Sequence, residues 1–455
     1  MSNEADKRRD EIWDEVLTKD NKEVSENPKV MKWLREIGSD MNINAFSLNW
    51  YKEDGTLNKD LEEANYLMRE VVNRLSITRS TKDPNKIPLF LTSTQFEPAL
   101  YGQCAQNFMK RLQLNPCAQD LWVLRNVVMS PFPTERGFIK ELMEYLEETI
   151  IDVVKNSCRP RNNPNDNKIQ FLLRGTDEVF LEFQTRFHRA TQRQQIILAV
   201  KLDENAKSKY IKLREGHPKD DIVFLSKETQ HLEKLIIEIE HGSKDRPIIP
   251  GEIGLLEGEY LTNPIPCSVT MKQVIKSRGL NSSFRDDHYP RHFMPFYLFG
   301  SKKQYHISHM LLQAPNINLS ASDIKLSDEL HEKVACLLEG GKGLILTLSD
   351  YREETMQPFP LDNNDKAFSS KHFFFKSGRT FQVKVWIDHK EPSANGPGLL
   401  DDLSELVGQG EMTLGEDVYV DVEVLNDDPF EDETLDVPWD EELNDITSVL
   451  NTASA

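Results

Sequence analysis

Two hydrophobic periods divide this chain. In its first third, apolar residues recur every three to four positions, as on one face of a helix. One set is Leu61, Ala64, Met68, Val71 and Leu75 behind a cap at Asn58 or Asp60. A second is Phe96, Leu100, Cys104, Phe108 and Leu112, and a third is Phe138, Leu142, Leu146, Ile150 and Val153. Between them, 42–50, 88–94 and 120–130 are runs rich in branched and aromatic residues, which predict strands. Asp54-Gly55 is a turn signal after the first run. Together these predict a small sheet under helices. A polar, proline-bearing stretch at 159–167 breaks the pattern and predicts a domain boundary.

Beyond it the chain reads as β-rich. Strands are predicted at 168–174 and 178–185 around Gly175-Thr-Asp, then at 195–201 and 221–225. Residues 229–240 suit a helix or a long strand, and the spacing of Leu232, Leu235, Ile236 and Ile239 favours the helix. Further strands are predicted at 295–300, 344–348, 372–375 and 381–387. At 417–425, Val418, Val420, Val422 and Val424 alternate with Asp417, Tyr419, Asp421 and Glu423, which predicts a half-buried strand with a solvated polar face. No internal repeat of fixed period is visible. The fold class expected is α+β. Its parts are a charged leader helix (1–27), a sheet-and-helix domain (28–160), two β-rich regions (161–260 and 261–426) and an acidic, disordered tail (427–455).

Charge sharpens this division. After Lys390 there is no Lys or Arg, and residues 391–455 hold 19 of the 75 acidic residues. The first 390 residues are therefore near neutral, with 55 basic against 56 acidic groups. Phosphate repulsion from the tail argues against nucleic acid as a partner. No apolar stretch reaches the roughly 20 residues that a membrane-spanning helix needs, and the N-terminus lacks the apolar core of a signal peptide. Five scattered cysteines without a CxxC pair suit a reduced, cytoplasmic protein.

The candidate chemistry centres on Arg125, inside Leu121-Trp-Val-Leu-Arg125-Asn-Val-Val-Met-Ser-Pro-Phe-Pro. A guanidinium keeps its proton, and burying one unpaired is costly. If the run is a buried strand, Arg125 needs an anion, either a fixed carboxylate or a bound ligand. Other signals are weaker. Gly340-Gly-Lys-Gly343 precedes a strand, whereas a phosphate loop follows one, so it reads as a turn. His288, His292, His306 and His309 lie near Asp286 and Asp287, but Pro290 opposes the helix that zinc ligands four residues apart require. Asp388-His389-Lys390 matches the His-Lys pair of one class of pyridoxal phosphate (PLP) enzymes. It lacks that class's other parts and reads as a surface turn. There is no GxSxG elbow. No catalytic, cofactor-binding or metal-binding residue is assigned.

The segments Trp33-Leu-Arg-Glu-Ile-Gly-Ser-Asp-Met-Asn-Ile-Asn-Ala-Phe46, Glu62-Glu-Ala-Asn-Tyr66, Leu89-Phe-Leu-Thr-Ser-Thr94 and Val123-Leu-Arg-Asn-Val-Val-Met-Ser-Pro-Phe132 resemble the C-terminal small domain of the group II PLP-dependent amino-acid decarboxylases. Arg174-Gly-Thr-Asp-Glu178 and Met294-Pro-Phe-Tyr-Leu298 resemble the C-terminal extension of their long fungal forms. The resemblance implies a small domain like that of fold-type I PLP enzymes, with Arg125 binding the carboxylate of an amino-acid substrate. It leaves no position for the Schiff-base lysine or the other PLP contacts. The implied function is a truncated or split decarboxylase, of aromatic, tyrosine or glutamate type. It would bind PLP only when completed by a separate large domain. The alternative is a non-catalytic binding or scaffold module. The expected partner surface lies over 28–160, filled by self-association or by a PLP-domain protein.

Overall fold

The computed structural model describes residues 2–37, 43–76, 91–127, 138–163, 169–226, 232–241, 247–257, 260–281, 284–286, 288–313, 318–338, 343–353, 374–401 and 403–421. The chain divides into two compact units that meet in sequence at Cys158 and Arg159.

The first unit opens with α1 (Ser2–Ile12), which continues into a π-helical turn, followed by α2 (Asn21–Glu26) and α3 (Pro28–Ile37). Then come β1 (Ile43–Phe46), α4 (Leu61–Arg74), β2 (Thr92–Phe96), α5 (Pro98–Tyr101), α6 (Gln103–Arg111), β3 (Leu121–Val127) and α7 (Phe138–Val153). The strands form an antiparallel sheet in the order β1-β3-β2. Tyr66, Leu67 and Val71 of α4 and Leu146 and Val153 of α7 pack with Trp50 and Leu124 in one core. Asp60 is the cap, accepting the Glu62 N–H at 2.9 Å. The second predicted helix is two helices, because Gly102 (φ 50°) interrupts it.

The second unit begins with a helical turn, α8 (Arg159–Arg161), followed by β4 (Gln170–Arg174), β5 (Val179–Phe183), β6 (Gln194–Leu202), α9 (Glu204–Gly216), β7 (Ile222–Ser226), α10 (Leu232–His241), β8 (Pro247–Glu257) and β9 (Tyr260–Gly279). These six strands close a barrel in the order β4-β5-β6-β9-β8-β7. Next come β10 (Met294–Gly300), β11 (Tyr305–His309), β12 (Asn318–Leu326), α11 (Asp328–Leu338), β13 (Leu344–Leu348), β14 (Thr380–Ile387), β15 (Leu406–Thr413) and β16 (Val418–Asp421). Pairing of β11 with β12 closes a second ring, β10-β11-β12-β15-β14-β13, and β16 adds to β12. Numbered within its own ring, each reads 1-2-3-6-5-4, with a helix between the third and fourth strands (α9, then α11). The unit is thus one topology used twice, a repeat that no fixed sequence period announces.

Each ring has its own interior. Phe171, Leu181, Ile196, Leu198, Phe224 and Ile253 fill the first, covered by Ala206 and Tyr210 of α9. Phe296, Leu298, Ile307, Leu319, Leu346 and Val383 fill the second, covered by Leu330 and Val334 of α11. A third cluster joins them. Phe180, Ile197 and Ile275 point outward from the first ring and meet Tyr297, Phe299, Met310 and Ile345 of the second. Strands at this seam are buried on both faces, which is why β4, β5, β11 and β13 are buried throughout. β14 faces water with alternate residues instead.

Several predicted elements are corrected. Helices α9 and α11 and strands β8, β9, β11, β12 and β15 were not expected. Pro247, Pro250, Pro264 and Pro266 disguise β8 and β9. Those in β9 lie before Val269, where the strand pairs with β8 but not with β6 among the described residues, so no ladder hydrogen bond is lost on that edge. α9 buries only a narrow stripe, Ala206 and Tyr210. Phe374 and Phe375 are in no strand, and 372–373 lie outside the described residues. β16 does not present a wholly solvated polar face, since Asp417 just before it is buried. Residues 422–455, with the rest of that predicted strand and the predicted disordered tail, lie outside the described residues.

Candidate functional site at the seam of the two barrels

The seam buries charge as well as apolar surface. Arg174 ends β4 with the last side chain before the β4–β5 turn, and it is 1 % exposed. Its guanidinium donates to Glu182 Oε2 at 3.1 Å within the first barrel, then to Asp417 Oδ1 at 2.6 Å and Ser320 Oγ at 2.5 Å of the second. Arg214 of α9 reaches the other Asp417 oxygen at 3.3 Å. Burial opposes the Arg174 charge, but Asp417, Glu182 and Asp221 overcome this and hold it more firmly protonated. Burial likewise pushes the Asp417 carboxyl upward, and the two guanidinia pull it below its ordinary value.

Asp221, just before β7, stands differently. Burial raises its pKa to about 6, against the opposing pull of Arg174 and Arg214. Asp221 Oδ1 and Glu182 Oε1 are buried without a hydrogen-bond partner among the described residues. His306 is fully buried behind Gly175. Burial, then Arg174, lowers its pKa to about 3, so it is neutral, with Nδ1 3.1 Å from Ser322 Oγ. Phe180, Phe299 and His306 form a ring cluster beside it, with centroids 5.3–5.5 Å apart.

Further along the seam, Lys276 pairs with Asp388 and lies 4.8 Å over the Tyr297 ring. Arg278 donates to Gln195 Oε1 from Nε and Nη2, Gln195 Nε2 donates to the His309 carbonyl, and His309 Nε2 lies 2.7 Å from Glu353. At the hairpin turns, the Thr176 and Asp177 N–H groups donate to Gln304 Oε1 at 2.7 and 2.8 Å, latching one barrel to the other. A cleft of about 600 Å³ opens beside this latch, with Phe180, Ile275 and Phe299 as its floor and Lys272, Lys303 and Asp177 among its rim.

The residues singled out from sequence fare unevenly. Arg125 is exposed, not buried; it sits in β3 opposite Ala45 and Thr92. Leu121, Val123 and Leu124 of the same strand are buried, but the cover does not extend to Arg125 near its end, which removes the reason for demanding an anion there. The four histidines do not converge: His288 and His292 are exposed, while His306 and His309 are buried with separate partners. In Asp388-His389-Lys390 the three side chains diverge, to Lys276, Glu405 and the Gly398 carbonyl. Gly343 packs against Ile275, and 340–342 lie outside the described residues. The ionisable residues of the seam were missed. Their signal was present: Arg174 and Glu182 stand inside the apolar runs Phe171-Leu-Leu-Arg174 and Phe180-Leu-Glu-Phe183.

A scan against family models places these barrels. Residues 163–284 match one model described as Cuben fold calcium-binding domain, and residues 285–430 match a second with the same description. No curated protein matches the chain. The matches overturn the decarboxylase resemblance, and the lyase activity and PLP dependence it implied fall with it. The substrate role of Arg125 loses both supports, its burial and that family. Residues 163–284 and 285–430 are thus each similar to a Cuben fold calcium-binding domain and not to the PLP-dependent decarboxylases.

Proposed function

We propose that residues 163–430 act as a non-catalytic calcium-binding module, with the paired barrels as its frame. The observation that carries the non-catalytic part is the seam. Arg174 faces Glu182 and Asp417, Lys276 faces Asp388, and His309 faces Glu353, so these groups hold strands together and do not face an open cleft. The description of the matched family supports the ion.

Calcium takes about six to eight oxygen ligands. Among the described residues, no three His, Cys, Asp or Glu side chains group so as to hold a metal ion, so these residues do not fit a resident calcium by themselves. The matched span also includes Asp362-Asn-Asn-Asp365, outside the described residues. That run has oxygen donors of the class calcium takes.

The test is calorimetric titration and thermal melting of the full chain in calcium, magnesium and chelator. Calcium, and not magnesium, raises the melting temperature; a hundredfold excess over Kd stabilises by about 2.7 kcal/mol. D362N/D365N weakens the binding. No heat and no shift in melting temperature at saturating calcium overturns the reading.

A further inference from the structure

The spacing of Phe96, Leu100, Cys104 and Phe108 suits a helical stripe against a core, yet the structure leaves that stripe uncovered. Gly102 splits the helix, and the residues that α6 buries are Ala105 and Met109. Leu100 is 71 % and Tyr101 44 % exposed, Cys104 is exposed, and Phe96 and Phe108 are half-buried. The rings form one surface: Phe96 stacks on Tyr101 with centroids 4.9 Å apart and meets Phe108 edge-on at 5.5 Å. The Arg111 guanidinium lies 4.8 Å over the Phe108 ring. Arg111 and its neighbour Lys110 are exposed and make no ion pair among the described residues. Residues 98–119 contain no Asp or Glu. A connected apolar patch with a basic edge suits an apolar segment that carries acid groups.

The last residues of this chain hold such a segment. Trp439, Leu443, Ile446 and Leu450 recur at the spacing of one helical face, with Asp440, Glu441, Glu442 and Asp445 among them. Pro438 suits the first turn of a helix, and the acidic residues after it suit the positive end of the helix dipole. The segment lies outside the described residues, and Asp436–Ala455 are counted with the first unit, so segment and surface belong to the same unit. We propose that residues 438–450 dock as an amphipathic helix on the stripe of α5 and α6. Trp439 and Leu443 meet the apolar side chains, and the acidic residues face Lys110 and Arg111. A helix this short is marginal alone in water, so it orders on docking. Tethering raises its effective concentration above that of a free acidic helix. The stripe is thereby a receptor for acidic amphipathic helices that the chain's own tail occupies.

The test uses the full chain and follows the rate at which iodoacetamide alkylates Cys104, read by mass spectrometry. Cys336, exposed in the second unit, is the internal reference. W439A/L443A raises the Cys104 rate about tenfold or more, the scale of losing an aromatic anchor. K110E/R111E also raises it, and adding E441K/E442K to K110E/R111E restores slow labelling, which independent structural effects at the two sites would not do. A synthetic peptide of residues 436–451, added to W439A/L443A, slows the labelling again. Unchanged melting temperatures confirm that the variants fold. The proposal is overturned by equal Cys104 rates in wild type and W439A/L443A, by no rescue in the reversed pair, by no effect of the peptide, or by protection that vanishes on dilution, which would put the segment on a second copy.

Discussion

Asp221 is the side chain whose charge the seam least accommodates. Asp417 is held by two guanidinia, whereas Asp221 has one oxygen buried without a partner. The groups acting on it are Arg174 of β4, Arg214 of α9, and Asp417 and Asp220. Its pKa rises from 3.8 to about 6 on folding, so the folded chain holds this proton more tightly than the unfolded one. The contribution to stability is therefore full below the unfolded value and is lost as pH rises through the folded value. Asn at this position has no such proton. The difference in unfolding free energy between wild type and D221N, measured by urea titration, should move against wild type by on the order of 2 kcal/mol from about pH 4 to 7. A difference curve flat over that range would show that Asp221 keeps its ordinary pKa. Arg125 and Arg174 make the complementary point. Each is an arginine in an apolar run, and burial logic applies equally to both sequences, yet only Arg174 is buried.

At the scale of elements, the β4–β5 hairpin carries the constraint. Gly175 has φ 77°, and a Cβ there would meet the Glu178 carbonyl at 2.3 Å and His306 Nε2 at 2.8 Å. The first obstacle is backbone of its own turn, and the second is a ring from the other barrel. Left-handed strain alone costs roughly 1–2 kcal/mol, so G175A should lower the urea midpoint by more than that strain accounts for. A midpoint equal to that of wild type would mean that the turn relaxes without disturbing the seam. The strand predictions show why elements at a seam are hard to read. Period two marks a strand with one wet face; at β11 the alternate residues His306 and Ser308 are polar yet buried, because they face the other barrel.

For the second unit as a whole, the two barrels share a core. Phe299 is 1 % exposed and packs on Phe180 across the seam, with ring centroids 5.3 Å apart. Truncation to Ala should cost about 3–5 kcal/mol. Because the contact belongs to both rings, hydrogen exchange in F299A should quicken in β5 and β6 of the first barrel as well as in β10 and β11. Quickening confined to the second barrel would show that the rings unfold independently. In the first unit, Leu100, Tyr101, Met143, Tyr145 and Ile151 are exposed apolar side chains within 28–160.

The amino-acid sequence by itself determined the local structure that depends on near neighbours. The stripes of α4 and α7, a cap at Asn58 or Asp60, the Gly175 turn, the α+β class with its β-rich C-terminal region and the confinement of acidity to the end of the chain were all legible. Each follows from spacing, backbone freedom or charge along a few residues. The tertiary structure alone decided which arginine is buried, that Arg174 meets a carboxylate 243 positions later, and that two stretches without a common period close rings of the same topology. Burial is a property of what packs against a residue. Pairing across barrels is set by which outward faces meet. Strand order depends on ring closure, which accepts many sequences that keep an apolar interior.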